Sequence, residues 1–352
     1  MARNTPANPR IVQPHNENAA ARRPLVRPWA ARGRRPAPPP PAAAGTIAVV
    51  EHGGVRWINV ERPTAEAVAY LREHFPFHEL DLEDVLDTLQ LPKLDEYDDY
   101  LFLVVQFPVH SKLTRATTSS EVDIFAGRDY VVTLQDARLK PLVRLFDEAE
   151  RSAERRADLL GAGAGLLLYR ILDQLIDYGF PIARRILQRI ETIDAMIFEP
   201  DALRTVQEIA TVRRDVIACR RIIKPQVAVL GQLEQATPRV FGRDPDDELH
   251  HYYGDLADRI GKLWDILEDA REVVEALSST ADSLTSHRLN QVIKILTIFS
   301  VVMLPLTLIS SIYGMNVPLP YEEHPLSFAL LLVSMAVIAA TMVAFFRWRR
   351  WL

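Results

Sequence analysis

The hydrophobic pattern changes texture along the chain. Residues 1–45 show no apolar period. From Thr46 the runs "TIAVVE", "VRWINV", "YLFLVVQF", "EVDIFAG" and "DYVVTLQ" are β-branched or aromatic, bounded by Gly, Pro and charge, and predict strands. "TAEAVAYLREHF" (Thr64 to Phe75) has helical spacing with Thr64 as its N-cap, and "DARLKPLVRLFDEAE" repeats that period more weakly. Together these predict a small α/β domain over 46–160.

Beyond Leu166 the spacing is helical. Two antiparallel helices are predicted over about 166–198 and 201–230, with "EPD" at 199–201 as the turn. "GAGAG" (Gly161 to Gly165) lacks the Gly-Lys-Ser/Thr of a phosphate loop and follows no clear strand, so it predicts a hinge. Leu249, Tyr253, Leu256, Ile260, Leu263, Leu267, Ala270, Val274, Leu277, Ala281 and Leu284 then alternate steps of four and three, a coiled-coil seam of five heptads. The seam fits oligomerisation or packing on neighbouring helices. One helix from Asp246 to Ile312 is about 100 Å long, with Pro305 placed to kink its far end. The helical stalk covers 161–291.

Two stretches are free of charge, 18 residues from Ile295 to Ile312 and 21 from Leu326 to Phe346. Each is long enough to cross a hydrocarbon core of about 30 Å. Buried core helices are the alternative, but back-to-back helices apolar all round predict two transmembrane spans, over 292–312 and 326–346. The first follows His287, Arg288 and Lys294, and the second runs into the basic tail "RWRRWL" at 347–352. The loop between them, 313–325, has no Lys or Arg and carries Glu322 and Glu323. By the positive-inside rule both termini lie in the cytoplasm of a multi-pass protein of the inner or plasma membrane.

The seam's phase continues into the first span and changes chemistry there. Asn290, Ile293, Thr297, Ser300, Leu304, Thr307 and Ser311 fall on one stripe, and four of these seven are hydroxyl residues. Such a stripe serves helix packing or lines a wet pore. The stripe ends at "YGMN", which favours a pore, and a pore requires an oligomer.

Composition narrows the classes. The net charge is −5, with 41 basic and 46 acidic residues, so no global basic field points to nucleic acid. Cys219 is the single cysteine, which excludes an intramolecular disulfide. Residues 1–45 are rich in Pro, Ala and Arg, with eight arginines against Glu17, and read as a disordered arm. A basic tail and an organelle transit peptide share that composition. No nucleophile pattern of an enzyme is present, and adjacent His250 and His251 point to different helix faces. A membrane-anchored coiled-coil sensor or adaptor is the competing class.

At this point the residues resemble the CorA family of divalent-cation transport proteins. The resemblance is carried by "YGMN" (Tyr313 to Asn316), the span "VIKILTIFSVVMLPLTLISSIYGMN", the basic end after the second span, and "LEDVLDTLQLPKLDEYDDYLFLVV" (Leu82 to Val105). It covers 46–352 and leaves out the arm. It implies an α+β membrane protein and a homopentameric funnel: a cytosolic α/β domain, a long coiled-coil stalk and two C-terminal spans, the first lining the pore. It also implies Mg²⁺ as substrate, with Co²⁺ and Ni²⁺ carried, and no cofactor beyond Mg²⁺ as a regulatory ligand.

The resemblance assigns selectivity to Gly314, Met315 and Asn316. A ring of Asn316 amides can accept hydrogen bonds from the water shell that Mg²⁺ surrenders reluctantly, and Gly314 permits the irregular backbone such a ring needs. Glu322 and Glu323 are candidates to concentrate cations at the mouth. Regulatory Mg²⁺ falls to Asp84, matching the acid of "LEDV", and to Asp255 with Asp258 one turn on. Ser278 and Ser279 stand where some relatives have a further stalk acid. The loop "VPLPYEEHP" also departs from the commonest family pattern, which keeps zinc, cobalt or nickel open, zinc with proton coupling.

Overall fold

The computed structural model describes residues 46–87, 90–111, 116–199, 202–242, 248–315 and 326–351. The arm at 1–45, Asn316, Glu322 and Glu323 lie outside the described residues.

Six strands form one sheet: β1 (Thr46–His52), β2 (Val55–Glu61), β3 (Lys93–Glu96), β4 (Tyr100–Ser111), β5 (Ala116–Gly127) and β6 (Tyr130–Gln135), in the order β1-β2-β6-β5-β4-β3. β2 and β6 run parallel, and the other neighbours are antiparallel. Alternation sorts the side chains. Leu101, Leu103, Val105 and Phe107 of β4 enter one core, whereas Phe102 and Val104 enter the other. A sheet covered on both faces reads as an unbroken apolar run, which is why "YLFLVVQF" does.

On one face lie α1 (Ala65–His74) and α2 (Glu79–Asp84). Thr64 caps α1 as expected, accepting from the Ala67 N–H at 3.3 Å. The other face carries α3 (Lys140–Arg151) and α4 (Ala153–Leu160), followed by three long helices: α5 (Ala164–Met196), α6 (Ala202–Phe241) and α7 (Glu248–Tyr313). The glycine run forms the 105° bend between α4 and α5. Gly163 sits at φ 102°, a conformation that disfavours any Cβ.

The seam of α7 is buried within its own chain. Tyr253, Leu256, Ile260, Leu263, Leu267, Ala270 and Val274 share one core with Ile182, Ile186 and Ile190 of α5 and Val212, Val216 and Ile223 of α6. Packing on neighbouring helices therefore satisfies the heptads, and the seam itself is not an interface between copies. The α6 helix also runs eleven residues past the expected 230, to Phe241, with Pro225 and Pro238 inside it. Burial of Val229, Leu230, Leu233, Ala236 and Val240 outweighs the lost backbone bonds.

Both apolar stretches are helical: α7 carries the first, and α8 (Ser327–Trp348) is the second. Pro305 lies inside α7, where it has no N–H to offer the Val301 carbonyl.

Candidate ion pathway and regulatory carboxylates

The first span has two unlike faces. Ile298 is buried, and Lys294, Val302, Pro305, Leu306 and Ile309 on the same side are half-buried, with α8 as the helix packed on α7. Asn290, Ile293, Thr297, Ser300, Leu304, Thr307 and Ser311 are all exposed. At 100° per residue the two sets are centred roughly 145° apart around the helix. The stripe read from the sequence is thus the side of the span that α8 leaves open.

Its two threonine hydroxyls are oriented. Thr297 Oγ1 donates to the Ile293 carbonyl at 2.8 Å and Thr307 Oγ1 to the Met303 carbonyl at 2.9 Å. With the proton engaged on the backbone, each oxygen shows acceptor lone pairs outward. Acceptors suit a cation whose bound waters point their hydrogens away from the metal. At the far end the Gly314 N–H donates to the Ser310 carbonyl at 3.0 Å, and the Met315 N–H to the Ile312 carbonyl at 3.3 Å.

At the other end the two helices meet. Lys294 Nζ donates to the Arg350 carbonyl at 3.4 Å, and Trp351 stacks on Phe346 with centroids 5.8 Å apart. Lys294, Arg347, Arg349 and Arg350 therefore gather at one end of the hairpin beside Trp348 and Trp351.

The regulatory candidates occupy separate places. Asp84 ends α2, where Lys93 Nζ donates to its Oδ2 at 2.7 Å and the Gln90 amide to its Oδ1 at 3.3 Å. Asp255 and Asp258 lie exposed on α7. Arg259 lies 3.9 Å from Asp255 and is bonded to Asp173 and Asp177 of α5. Burial first, and then the Asp255 charge, raise the Asp177 carboxyl. Among the described residues no three His, Cys, Asp or Glu converge as a metal centre. Carboxylate oxygens are the donors Mg²⁺ prefers. The side chains of Asp84 and Asp255 keep 26% and 52% exposure, so an ion can reach each of them. Sequence reasoning missed both cationic partners, although Lys93 lies inside the quoted "LPKLDEYDDY".

A hairpin of two apolar helices, one with an acceptor-lined open face, joined through a continuous helix to an α/β domain, defines a membrane transport protein. Residues 52–350 match the family model described as CorA-like Mg²⁺ transporter protein, and the chain belongs to that family, whose members transport divalent cations. The cobalt/magnesium transport protein CorA of Thermotoga maritima is 29% identical over 84% of this chain and 83% of its own length. The complete CorA magnesium transporter of Methanocaldococcus jannaschii superposes with a TM-score of 0.71 at 21% identity, over 87% of this chain and 98% of that one. The ZntB cytoplasmic domain of Vibrio parahaemolyticus matches at 0.51 and 13% identity, over 66% of this chain and 88% of the domain.

Proposed function

We propose that the chain is a voltage-driven channel that imports Mg²⁺, with Co²⁺ and Ni²⁺ as further substrates, and works as a homopentamer with both termini cytoplasmic. The observation that carries this reading is the acceptor stripe of α7, exposed on the side away from α8. One helix cannot enclose a pore, but copies of this face turned to a common axis can, with α8 as the outer ring.

The ion passes hydrated. Asn316 amide oxygens at the mouth accept hydrogen bonds from the water shell, with Gly314 and Met315 shaping the ring, and Glu322 and Glu323 raise the local cation concentration. The hydroxyl oxygens of Thr297, Ser300, Thr307 and Ser311 continue that wet contact inward. The stripe has no carboxylate, which keeps each site weak enough to release its ion. An inside-negative potential of 100 mV is worth about 4.6 kcal/mol to a divalent ion, so no coupling ion is needed.

Such a gradient calls for a brake. Cytosolic Mg²⁺ held between neighbouring subunits by Asp84, Asp255 and Asp258 supplies it, and loss of that Mg²⁺ opens the pore. Flux into proteoliposomes tests the reading, wild type beside Asn316→Ala, with Mg²⁺ or Zn²⁺ and with or without a proton gradient. The expected result is Mg²⁺ influx driven by voltage alone, lost in Asn316→Ala and suppressed by internal Mg²⁺. Zn²⁺ influx that needs the proton gradient assigns the chain to the zinc-transporting branch instead, and no flux of either ion leaves the sensor class.

A further inference from the structure

The face of the sheet under α1 and α2 carries a polar patch at its β3 edge. Strand register sets Lys93, Val104 and Asp123 side by side across β3, β4 and β5, and Gln106 opposite Glu121 two positions on. Directly opposed residues share a face, so these side chains meet on one side of the sheet. Asp84, at the end of α2, reaches the same patch through Lys93.

Acid exceeds base there. Lys93 Nζ lies 2.7 Å from Asp84 Oδ2 and 2.6 Å from Asp95 Oδ2, and 5.0 Å over the Phe102 ring. Glu121 accepts from the Gln90 N–H at 3.0 Å and the Gln106 amide at 2.9 Å. Asp123 is only 5% exposed, and its Oδ1 has no hydrogen-bond partner. Burial first, then the charges of Glu121 and Asp84, push the Asp123 carboxyl well above the ordinary range, and Lys93 pulls the other way. One permanent cation thus serves several carboxylates.

We propose that the Lys93 ammonium is the tethered cation that a regulatory divalent ion displaces from Asp84, so that Lys93 sets the Mg²⁺ concentration to which the protein responds. The proposal rests on the reading of Asp84 as a regulatory ligand. Asp84 is not a bare carboxylate awaiting metal: an arriving ion gains its bond and forfeits the Lys93 contact. The apparent affinity is weakened by the factor that contact contributes. Lys93 also has a second seat. Asp95 and the Phe102 ring can hold the ammonium after Asp84 turns to the metal, so displacement leaves no stranded buried charge. A lysine that merely propped Asp84 for the metal would have the opposite effect when removed.

The test uses the full-length protein in liposomes and in detergent, with Mg²⁺ as the only divalent ion. Two midpoints are read: the internal Mg²⁺ that halves flux, and the Mg²⁺ that half-completes the upward shift of the melting temperature. Lys93→Met keeps the aliphatic stem over Phe102, and Lys93→Gln is the second variant should Met fail to fold. Both midpoints are expected to fall roughly two- to fivefold, the range for a partly exposed ion pair, and Lys93→Arg is expected to stay near wild type. Unchanged or raised midpoints on neutralising Lys93, with Asp84→Asn raising them, overturn the proposal while Asp84 stands as a ligand. Wild-type midpoints in Asp84→Asn overturn the reading of Asp84 and the proposal with it.

Discussion

Thr297 and Ile298 are neighbours in sequence, about 100° apart around the helix, and meet different surroundings: Ile298 is buried on the α8 side of the first span, while Thr297 is exposed with its hydroxyl donated to its own helix. Thr307 repeats the arrangement three turns on. If hydrated ions travel along the exposed side, removing an outward acceptor removes a contact with the water shell. Thr307→Val preserves shape and deletes the oxygen. Initial Mg²⁺ flux is expected to fall about tenfold, the equivalent of one lost hydrogen bond to a charged group's shell. Ile298→Val, on the α8 side, is expected to change flux less than twofold by the same reasoning on faces.

Arg189 joins three elements through one buried carboxylate. Its guanidinium donates to Asp215 Oδ2 at 2.9 Å, and Thr117 Oγ1 of β5 donates to Asp215 Oδ1 at 3.3 Å. The Asp215 side chain is 5% exposed. Arg189→Met leaves that carboxylate buried without its countercharge, which typically costs about 3–5 kcal/mol. Chemical unfolding of the purified protein should show a loss of that order. The double variant Arg189→Met, Asp215→Leu should recover much of it, because no buried charge remains.

The parts of this protein that follow from period were legible in its sequence. Thr64 capped the helix it was expected to cap, the five apolar runs became β1, β2, β4, β5 and β6, and the heptads from Leu249 to Leu284 lie along the buried side of α7. The seam could not name its partner, since period fixes a face and not what covers it. The β3 strand was missed because "KLDE" has neither an apolar run nor aromatic weight, and its pairing with β4 makes it a strand. Helix α6 outruns its expected end at 230 because burial of Leu233, Ala236 and Val240 carries it past Pro238, a breaker by any local rule. At the site, Asp84 was visible as a motif position. Its partner was not, because Lys93 reaches it only when β3 joins the sheet.

Cys219 supplies a reporter of opening. It is 1% exposed in the common core, and burial first, with the Asp215 charge second, pushes its thiol up to about 12. Its folded value is raised, so ionisation opposes folding as pH rises past the ordinary thiol range. In the folded protein, alkylation of Cys219 should be slow at pH 8 and should lack the steep rise between pH 8 and 10 that an open thiol shows. Labelling in step with denaturant-induced unfolding is the expected course, and rapid labelling of the native protein at pH 8 would exclude this packing.

The same core makes a prediction about assembly. Leu263 is 1% exposed and lies against α5 where Gly179 has no side chain; a Cβ there would come within 2.5 Å of Leu263 Cδ2. Leu263→Ala opens a cavity at that contact and should lower stability by about 2–5 kcal/mol. Gly179→Ala crowds the same contact from the other side and should also destabilise, by about 1–3 kcal/mol. Neither residue faces outward, so neither should change the number of subunits that purify together. Size-exclusion chromatography with light scattering on Leu263→Ala separates the cases: an unchanged mass with a lower melting temperature places the seam inside one chain. Dissociation to smaller species at temperatures where the chain stays folded would place it between copies.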